Sequence, residues 1–192
     1  CGHATMASAK IIFEHFPDIA GSEISFSSKS GILKVSKNAE NICLNFPVDD
    51  PEPQEMDAFF AEALGESPIE ILRGTDDFLA VFKTEQQIQA MKPDFTKLAK
   101  INSRGVVISA PGNDVDFVSR CFFPQTGVNE DPVTGSAHTM LIPYWAKQLD
   151  KIQFKAHQLS ARGGVLDCNL ANDRVLISGK SVIYFEGMIS II

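Results

Sequence analysis

A short motif occurs twice in this chain, 133 residues apart, and each copy stands where a helix is predicted to begin. The chain opens Cys-Gly-His-Ala-Thr, and residues 134–138 read Thr-Gly-Ser-Ala-His. Apolar spacing predicts one helix from Ala4 to Phe16, which Pro17 ends, and a second from Ser136 to Leu149. A motif that recurs at two helix starts favours a fold built from two related segments.

Strand-like stretches support this duplication because they share its spacing. Residues 31–35 match residues 164–168, and residues 42–44 match residues 175–177, in both cases 133 positions apart. An Ile-x-Phe pair recurs at a spacing of 128, from Ile24 to Ile152, which predicts one loop that differs in length by five residues. Helix and strand patterns are mixed along the whole chain, with further strands predicted at 23–27, 41–46, 69–72, 78–82, 105–110, 115–123 and within 152–191, and helices at 54–64, 85–91 and 94–100.

The stretch from Pro47 to Pro53 has three prolines and three acidic residues in seven positions, which is typical of a linker. We therefore expect residues 1–47 to form the last part of a first half and residues 48–187 a second half. Residues 188–192 are expected to form a closing strand that returns to the first half. If the halves are true repeats, roughly 70–80 residues precede Cys1 and the whole protein has about 260–270.

Composition excludes several classes of protein. The 192 residues are 44% hydrophobic, and their 17 basic and 24 acidic side chains give a net charge of −7, which argues against a nucleic-acid partner. No apolar run reaches the roughly 18 residues of a membrane helix, and no signal peptide opens the chain. The cysteines have neither paired nor metal-ligand spacing, so we interpret Cys43, Cys121 and Cys168 as reduced core thiols of a cytoplasmic protein.

Each Gly-x-Ala helix start is suited to binding an anion. The first turn of a helix presents unpaired N–H groups and the positive end of the peptide dipoles, and glycine lets a ligand approach the backbone. If the two halves enclose a cleft, Gly2 and Gly135 face each other there and bind a small anion, most naturally a carboxylate. The alternative is that both glycines only allow close packing between helix and strand.

The loop before the second helix adds ionisable groups to this site. Glu130 and Asp131 stand at the helix entrance, where a buried carboxylate can act as a general acid or base. The alternative is that Asp131 caps the helix and Glu130 is solvated. His3 occupies the repeat position of Ser136 and is therefore a second candidate, whereas we interpret His138 as structural.

The segments at residues 1–5 and 129–138, in this order, resemble the two motifs of the PhzF family, which are phenazine-biosynthesis-like isomerases related in fold to diaminopimelate epimerase. Arg120-Cys-Phe-Phe-Pro is also similar, and the resemblance covers essentially the whole chain. It implies an α+β fold of two similar halves, each a barrel-like, mostly antiparallel sheet around a central helix, with the active site in the cleft between them and the N-terminal half incomplete in this chain. It also implies a homodimer and catalysis without metal or organic cofactor.

The characterised chemistry of that family is the isomerisation of a cyclic dihydro-hydroxyanthranilate by acid/base proton movement. His3 and Asp131 match two of its acid/base positions, and Ser136 with the backbone around Gly2 and Gly135 matches its substrate-holding positions. The family's main acid/base glutamate falls before Cys1, so no residue here is assigned to it. The resemblance thus implies a biosynthetic isomerase acting on a small, cyclic, carboxylate-bearing metabolite.

The related epimerases provide a contrast, because they use two cysteines as opposed acid and base, each directly before the glycine of its helix. The matching positions here hold Cys1 and Thr134, which we therefore add to the candidate substrate-binding residues. One missing thiol argues against two-base racemisation. Two alternatives stay open: a one-thiol epimerase or dehydratase of a proline-like acid, and a non-catalytic protein that binds a small molecule.

Overall fold

The computed structural model describes residues 2–28 and 31–190. Its helices are α1 (Gly2–His15), α2 (Pro17–Ala20), α3 (Ala58–Leu64), α4 (Glu85–Ala90), α5 (Phe95–Leu98) and α6 (His138–Leu149), with a 3-10 turn at Pro124–Thr126. Its strands are β1 (Glu23–Ser28), β2 (Gly31–Asn38), β3 (Asn41–Pro47), β4 (Glu52–Pro53), β5 (Glu70–Arg73), β6 (Asp77–Val81), β7 (Gly105–Pro111), β8 (Phe117–Phe123), β9 (Val128–Asp131), β10 (Gln153–Gln158), β11 (Gly164–Ala171) and β12 (Arg174–Lys180). In these two ranges no helix is long and apolar enough to cross a membrane.

The strands join one mixed sheet in the order β1-β2-β3-β12-β11-β10-β8-β7-β6-β5-β4, and β9 pairs with β8 off this path. Neighbouring strands run antiparallel except for two parallel pairs, β10 with β8 and β6 with β7. The predicted mixed α and β fold with a mostly antiparallel sheet is therefore confirmed. The antiparallel pairing of β3 with β12 makes the sheet continuous from one end of the chain to the other.

Strand pairing corrects one spacing in the duplication. Ile24 pairs with Val35 in β1 and β2, and Phe154 pairs with Cys168 in β10 and β11. Cys168 lies 133 residues beyond Val35, so their strand partners, Ile24 and Phe154, are the matching residues of the two halves, and they lie 130 apart. The expected spacing of 128 is therefore wrong, and the loop between these two strands differs in length by three residues instead of five. A slip of two residues leaves every side chain on the same face of a strand, so the apolar pattern alone could not detect it.

The proline-rich stretch from Pro47 to Pro53 is tied to the rest of the fold. Its last two residues form β4 against β5, and Pro51 is buried. The Asp49 carboxylate accepts hydrogen bonds from the Thr75 backbone N–H at 3.0 Å and the Thr75 hydroxyl at 2.7 Å. The connection between β3 and α3 therefore packs as an ordered part of the structure.

Both faces of the central strands are buried, which explains their continuous apolar runs. On β6, Leu79 and Val81 point into the cluster that packs around α6. Ala80, and Phe82 directly after the strand, point into a second cluster under α3, α4 and α5. The same alternation holds along β7 and β8. The α6 cluster includes α1 and the strands on both sides of the β3–β12 pair, so it joins the two ends of the chain.

Helix α6 is apolar around most of its circumference and crosses the larger cluster. It contains Pro143, which has no N–H to donate to the carbonyl of Thr139 four residues earlier. The Asp49 backbone N–H donates to that Thr139 oxygen instead, at 3.1 Å. The carbonyl that the proline leaves free is thus satisfied by the connection after β3, which holds that connection against the helix.

Residues 181–190, after β12, form neither helix nor strand. The expected closing strand at 188–192 includes residues 191 and 192, which lie outside the described residues. Several apolar side chains of this segment, including Val182, Tyr184 and Phe185, are exposed.

Candidate active site

The starts of α1 and α6 meet backbone to backbone. A Cβ atom placed on Gly2 would lie 3.8 Å from the Cα of Gly135, and a Cβ on Gly135 would lie 4.0 Å from the Cα of Gly2. These separations are ordinary van der Waals contacts, so the two backbones lie side by side, and the lack of side chains leaves them open to a ligand. The N–H groups of two helix starts are therefore brought to one place, which is the arrangement that suits an anion.

A pocket of about 400 Å³ opens where these helix starts meet. It is lined by six of the residues that sequence reasoning selected: Gly2, His3, Asp131, Thr134, Gly135 and Ser136. The seventh, Cys1, lies outside the described residues. Four lining residues were not predicted, namely Arg104, Phe123, Thr126 and Val128.

Asp131 is the last residue of β9 and is half-buried at the wall of the pocket. The Thr134 hydroxyl donates to its Oδ2 at 2.5 Å. The residue at the N-cap of α6 is Ala137, so the alternative that Asp131 caps this helix is wrong. The acidic loop ends in β9, and the Asp131 side chain is bound to Thr134 in the turn that precedes α6.

Glu130 is also not solvated, contrary to the alternative interpretation. Its carboxylate accepts two hydrogen bonds from Arg120, at 2.7 and 2.9 Å, and the same guanidinium donates to the carbonyls of Ile88 and Met91. Arg120 is largely buried and lies over the Phe122 ring. The bidentate pair with Glu130 ties β8 to β9, and the two bonds to carbonyls tie β8 to the end of α4. Of the two acids in this loop, Asp131 is the one that lines the pocket.

A buried amide that sequence reasoning missed holds this loop in place. Gln158, at the end of β10, is fully buried. Its Oε1 accepts from the Thr134 N–H at 2.7 Å, and its Nε2 donates to the Asp131 carbonyl at 2.7 Å and to the Thr134 hydroxyl oxygen at 3.2 Å. The signal was a polar residue at an inward strand position, two places after Ala156 in an alternating pattern, because a buried amide requires partners.

Two further ionisable groups below the pocket are neutral for the same physical reason. Burial lowers the pKa of His138 to about 4, and its Nδ1 lies 2.8 Å from the Thr134 carbonyl, so the neutral ring donates there. Burial likewise raises the pKa of the Cys121 thiol, which lies opposite Asp131 in the β8–β9 pair. His138 is thus structural, as predicted, and Cys121 is a protonated core thiol.

Arg104 is the cation of the pocket. It stands directly before β7, and its Nε donates to Oδ1 of Asp77 at 2.9 Å while its Nη2 donates to Oδ2. Nη2 also lies 3.3 Å from the Ser136 hydroxyl oxygen, and the guanidinium rests 5.5 Å from the centre of the Phe123 ring. The hydrogen bond to Asp77 raises the pKa of Arg104, so the pocket wall carries a permanent ion pair.

The chemistry that this arrangement permits follows from its groups. Backbone N–H groups and the Ser136 hydroxyl can bind an anion, while the Asp131 carboxylate and the exposed His3 imidazole can exchange protons with a bound molecule. Across the described ranges, no three His, Cys, Asp or Glu side chains form a group that could hold a metal ion.

Comparison with known proteins places the chain in a family. The model described as phenazine biosynthesis-like protein matches residues 1–187. Two proteins of Pseudomonas aeruginosa, named uncharacterized isomerases PA3578 and PA2770, are each 45% identical over 98% and 97% of this chain and 72% and 71% of their own. The phenazine biosynthesis-like domain-containing protein 2 of Mus musculus is 37% identical over 99% of this chain and 73% of its own. The chain belongs to the PhzF family of phenazine-biosynthesis-like proteins.

Solved structures agree with this assignment. A PhzF-family protein of Enterococcus faecalis is 41% identical with a TM-score of 0.91, over 96% of this chain and 71% of its own. A PhzC/PhzF protein of Clostridium difficile is 38% identical with the same TM-score, over 100% and 73%. A predicted epimerase of Pseudomonas aeruginosa, PA4716, is 19% identical with a TM-score of 0.62 over 91% and 68%, which shows a shared fold. Curated relatives named as isomerases support an enzyme of that kind.

Proposed function

We propose that the protein is an isomerase that moves protons by acid/base catalysis on a small, cyclic, carboxylate-bearing metabolite. The observation that carries the proposal is the meeting of two helix starts, at Gly2 and Gly135, around one pocket that His3 and Asp131 also line. The proposal keeps the two-half arrangement with its cleft, the homodimer, the cytoplasmic location and the cofactor-free chemistry that the family resemblance implies.

The substrate carboxylate is assigned to the two helix starts. The backbone N–H groups that follow Gly2 and Gly135 are the donors, and the positive ends of both helix dipoles favour the bound charge. The Ser136 hydroxyl adds a donor, because its oxygen already accepts from Arg104 and its hydrogen is free to turn toward the anion. This position fixes the ring of the substrate against the rest of the pocket.

Proton movement is assigned to Asp131 and His3. The Thr134 hydroxyl occupies Oδ2 of Asp131, which leaves Oδ1 as the oxygen that exchanges a proton with the substrate. His3 follows Gly2 in α1, lines the same pocket and supplies a second exchanging group. The glutamate that the family resemblance adds as the main acid/base group has no counterpart among the residues of this sequence.

Deuterium incorporation tests the proposal without knowledge of the substrate. The full-length protein is incubated in D₂O with a mixture of cyclic carboxylic acids, and mass spectrometry identifies any acid whose mass rises by one. General acid/base groups contribute roughly 10²–10⁴-fold, so Asp131→Asn should slow incorporation at least about 100-fold, and His3→Ala should also slow it. Asp114→Asn, a change in an exposed loop outside the pocket, is the matched control and should not.

The outcomes separate the proposal from the binding alternative. An acid that binds to the protein but gains no deuterium would favour a non-catalytic small-molecule-binding protein. Incorporation that persists at the wild-type rate in both Asp131→Asn and His3→Ala would contradict the roles assigned here.

A further inference from the structure

Three hydrogen-bonded side chains connect the central sheet to the turn before α6. Asp77 begins β6 and pairs in parallel with Gly105, the first residue of β7, which Arg104 directly precedes. The Asp77 carboxylate accepts from Nε of Arg104 at 2.9 Å and also from its Nη2. The same Nη2 donates to the hydroxyl oxygen of Ser136 at 3.3 Å. The starts of two neighbouring strands are therefore bonded to the residue that follows Gly135.

The Arg104 guanidinium is held in one orientation. Its partner Asp77 is only 5% exposed, and a bidentate pair fixes the guanidinium plane as well as its position. The Phe123 ring lies below, with its centre 5.5 Å from the guanidinium carbon. A Cβ on Gly105 would lie 2.1 Å from that ring, so only glycine leaves room for it there. The Nη1 edge faces the exposed Asp76 at 4.0 Å, which leaves the Nη2 edge turned toward Ser136.

The position of Ser136 is fixed, but its hydroxyl hydrogen can rotate. Its carbonyl accepts from the Thr139 hydroxyl at 2.7 Å and from the Thr139 N–H at 3.2 Å, which holds the backbone of the turn. A serine hydroxyl turns about its C–O bond, so neighbouring charges decide where the hydrogen points. The cationic Arg104 takes the oxygen and repels the hydrogen. Because Ser136 lines the pocket, this hydrogen is available to a ligand bound there.

The donors of Arg104 that lie nearest to Ser136 are already in use. Asp77 and Ser136 take the N–H groups of Nε and Nη2, and Asp77 balances the charge of the guanidinium. We propose that Arg104, held by Asp77, is a positioning residue that fixes the Ser136 hydroxyl as a hydrogen-bond donor to the bound carboxylate. The inference rests on the proposed function, because it requires a carboxylate at the two helix starts.

A double-mutant cycle tests this indirect role. Calorimetry measures the dissociation constant of benzoate on the full-length wild type, on Ser136→Ala, on Arg104→Met/Asp77→Asn and on the triple variant. Changing Arg104 and Asp77 together avoids an unpaired buried charge. A hydrogen bond to a charged group is worth about tenfold or more, so Ser136→Ala should weaken binding about tenfold. The paired change should weaken it at least about threefold, but should have no further effect once Ser136 is alanine.

The cycle separates positioning from general damage to the pocket wall. If the paired change merely disturbed the fold around the pocket, it would weaken benzoate binding by the same factor with Ser136 present or absent. Arg73→Met is the matched control, because Arg73 also lies over a phenylalanine ring, 4.5 Å from the centre of Phe78, but does not line the pocket. This control should bind benzoate as the wild type does.

The outcomes distinguish this inference from the proposed function. If benzoate binds but the paired change has no effect, or has the same effect in the Ser136→Ala background, the role of Arg104 is wrong while the carboxylate site stands. The same conclusion follows if Ser136→Ala leaves benzoate binding unchanged. If benzamide binds as tightly as benzoate, or if benzoate does not bind to the wild type, the carboxylate site itself is wrong and this inference fails with it.

Discussion

The two helices that meet at the pocket share a motif but differ in how they are held. Helix α6 is buried along most of its length, and the turn before it is bonded to Gln158 and Asp131. Helix α1 buries Ala9 and Phe13, while its Ile11 is 41% exposed and its ion pair between Lys10 and Glu14 is partly exposed. Within the described residues, the two ends of the site are therefore supported by different contacts.

This difference shows where the site draws its precision. The Asp131 side of the pocket is fixed by hydrogen bonds among buried groups, which exchange little with water and hold one geometry. The His3 side depends on the packing of a half-exposed helix. We therefore expect substitutions around α6 to cost more stability than matched substitutions in α1, and four measurements test this expectation.

The largest effect is expected in the core of α6. Leu141 is fully buried, so Leu141→Ala should lower the free energy of unfolding by about 3 kcal/mol through lost burial and the cavity left behind. Ile11→Ala in α1 is the matched control and should cost less than about 1 kcal/mol because that side chain is partly in water. Chemical denaturation measures both, and equal costs would contradict the comparison.

The next effect is expected at the buried amide. Gln158→Leu leaves the Thr134 N–H and the Asp131 carbonyl without partners, which should cost about 2–3 kcal/mol because buried unpaired groups lose their full solvation. Gln153→Leu, on the same strand but exposed, should change stability by less than about 0.5 kcal/mol. If the two substitutions proved equivalent in denaturation experiments, Gln158 would not hold the loop.

A pH dependence of stability is expected from His138. Its pKa is about 4 in the folded protein, because burial disfavours the charged ring, and about 6.5 in the unfolded chain. The unfolded chain therefore binds the proton first as pH falls, so about 2 kcal/mol of stability should be lost between pH 7.5 and pH 5. The ring contributes this stability fully above pH 6.5.

His138→Phe isolates that contribution, because phenylalanine fills the same space without titrating. Its stability between pH 7.5 and pH 5 should fall by about 2 kcal/mol less than that of the wild type, since the other histidines are present in both proteins. Parallel curves for the two proteins would show that the burial of His138 does not control the acid side of the stability profile.

Much of the fold could be predicted because local patterns determine it. The end of α1 follows from Pro17, and the next three strands, β1 to β3, begin at their predicted positions. The start of α6 was placed at Ser136 rather than His138, since helix ends are set by a few local bonds. The apolar pattern matches Ile24 with Ile152 instead of Phe154, because a two-residue slip preserves the apolar face.

The support of the site could not be predicted in the same way. Arg104 and Asp77 are 27 residues apart, and Gln158 and Thr134 are 24 apart, so each pair meets only once the sheet has formed. No short motif records such a contact. The lining residues next to the repeated glycines were accessible to sequence reasoning, whereas the groups that orient them depend on the topology.

The smallest effect is expected from the outer support of the acidic loop. The Ser160 hydroxyl donates to the Pro132 carbonyl at 2.7 Å and accepts from the Gly163 N–H at 3.0 Å. Water can replace these bonds because Ser160 is only half-buried, so Ser160→Ala should cost about 1 kcal/mol in denaturation, less than Gln158→Leu. A cost as large as that of Gln158→Leu would mean that the loop is held from its outer side, and the contrast between the two helix starts would then rest on α6 packing alone.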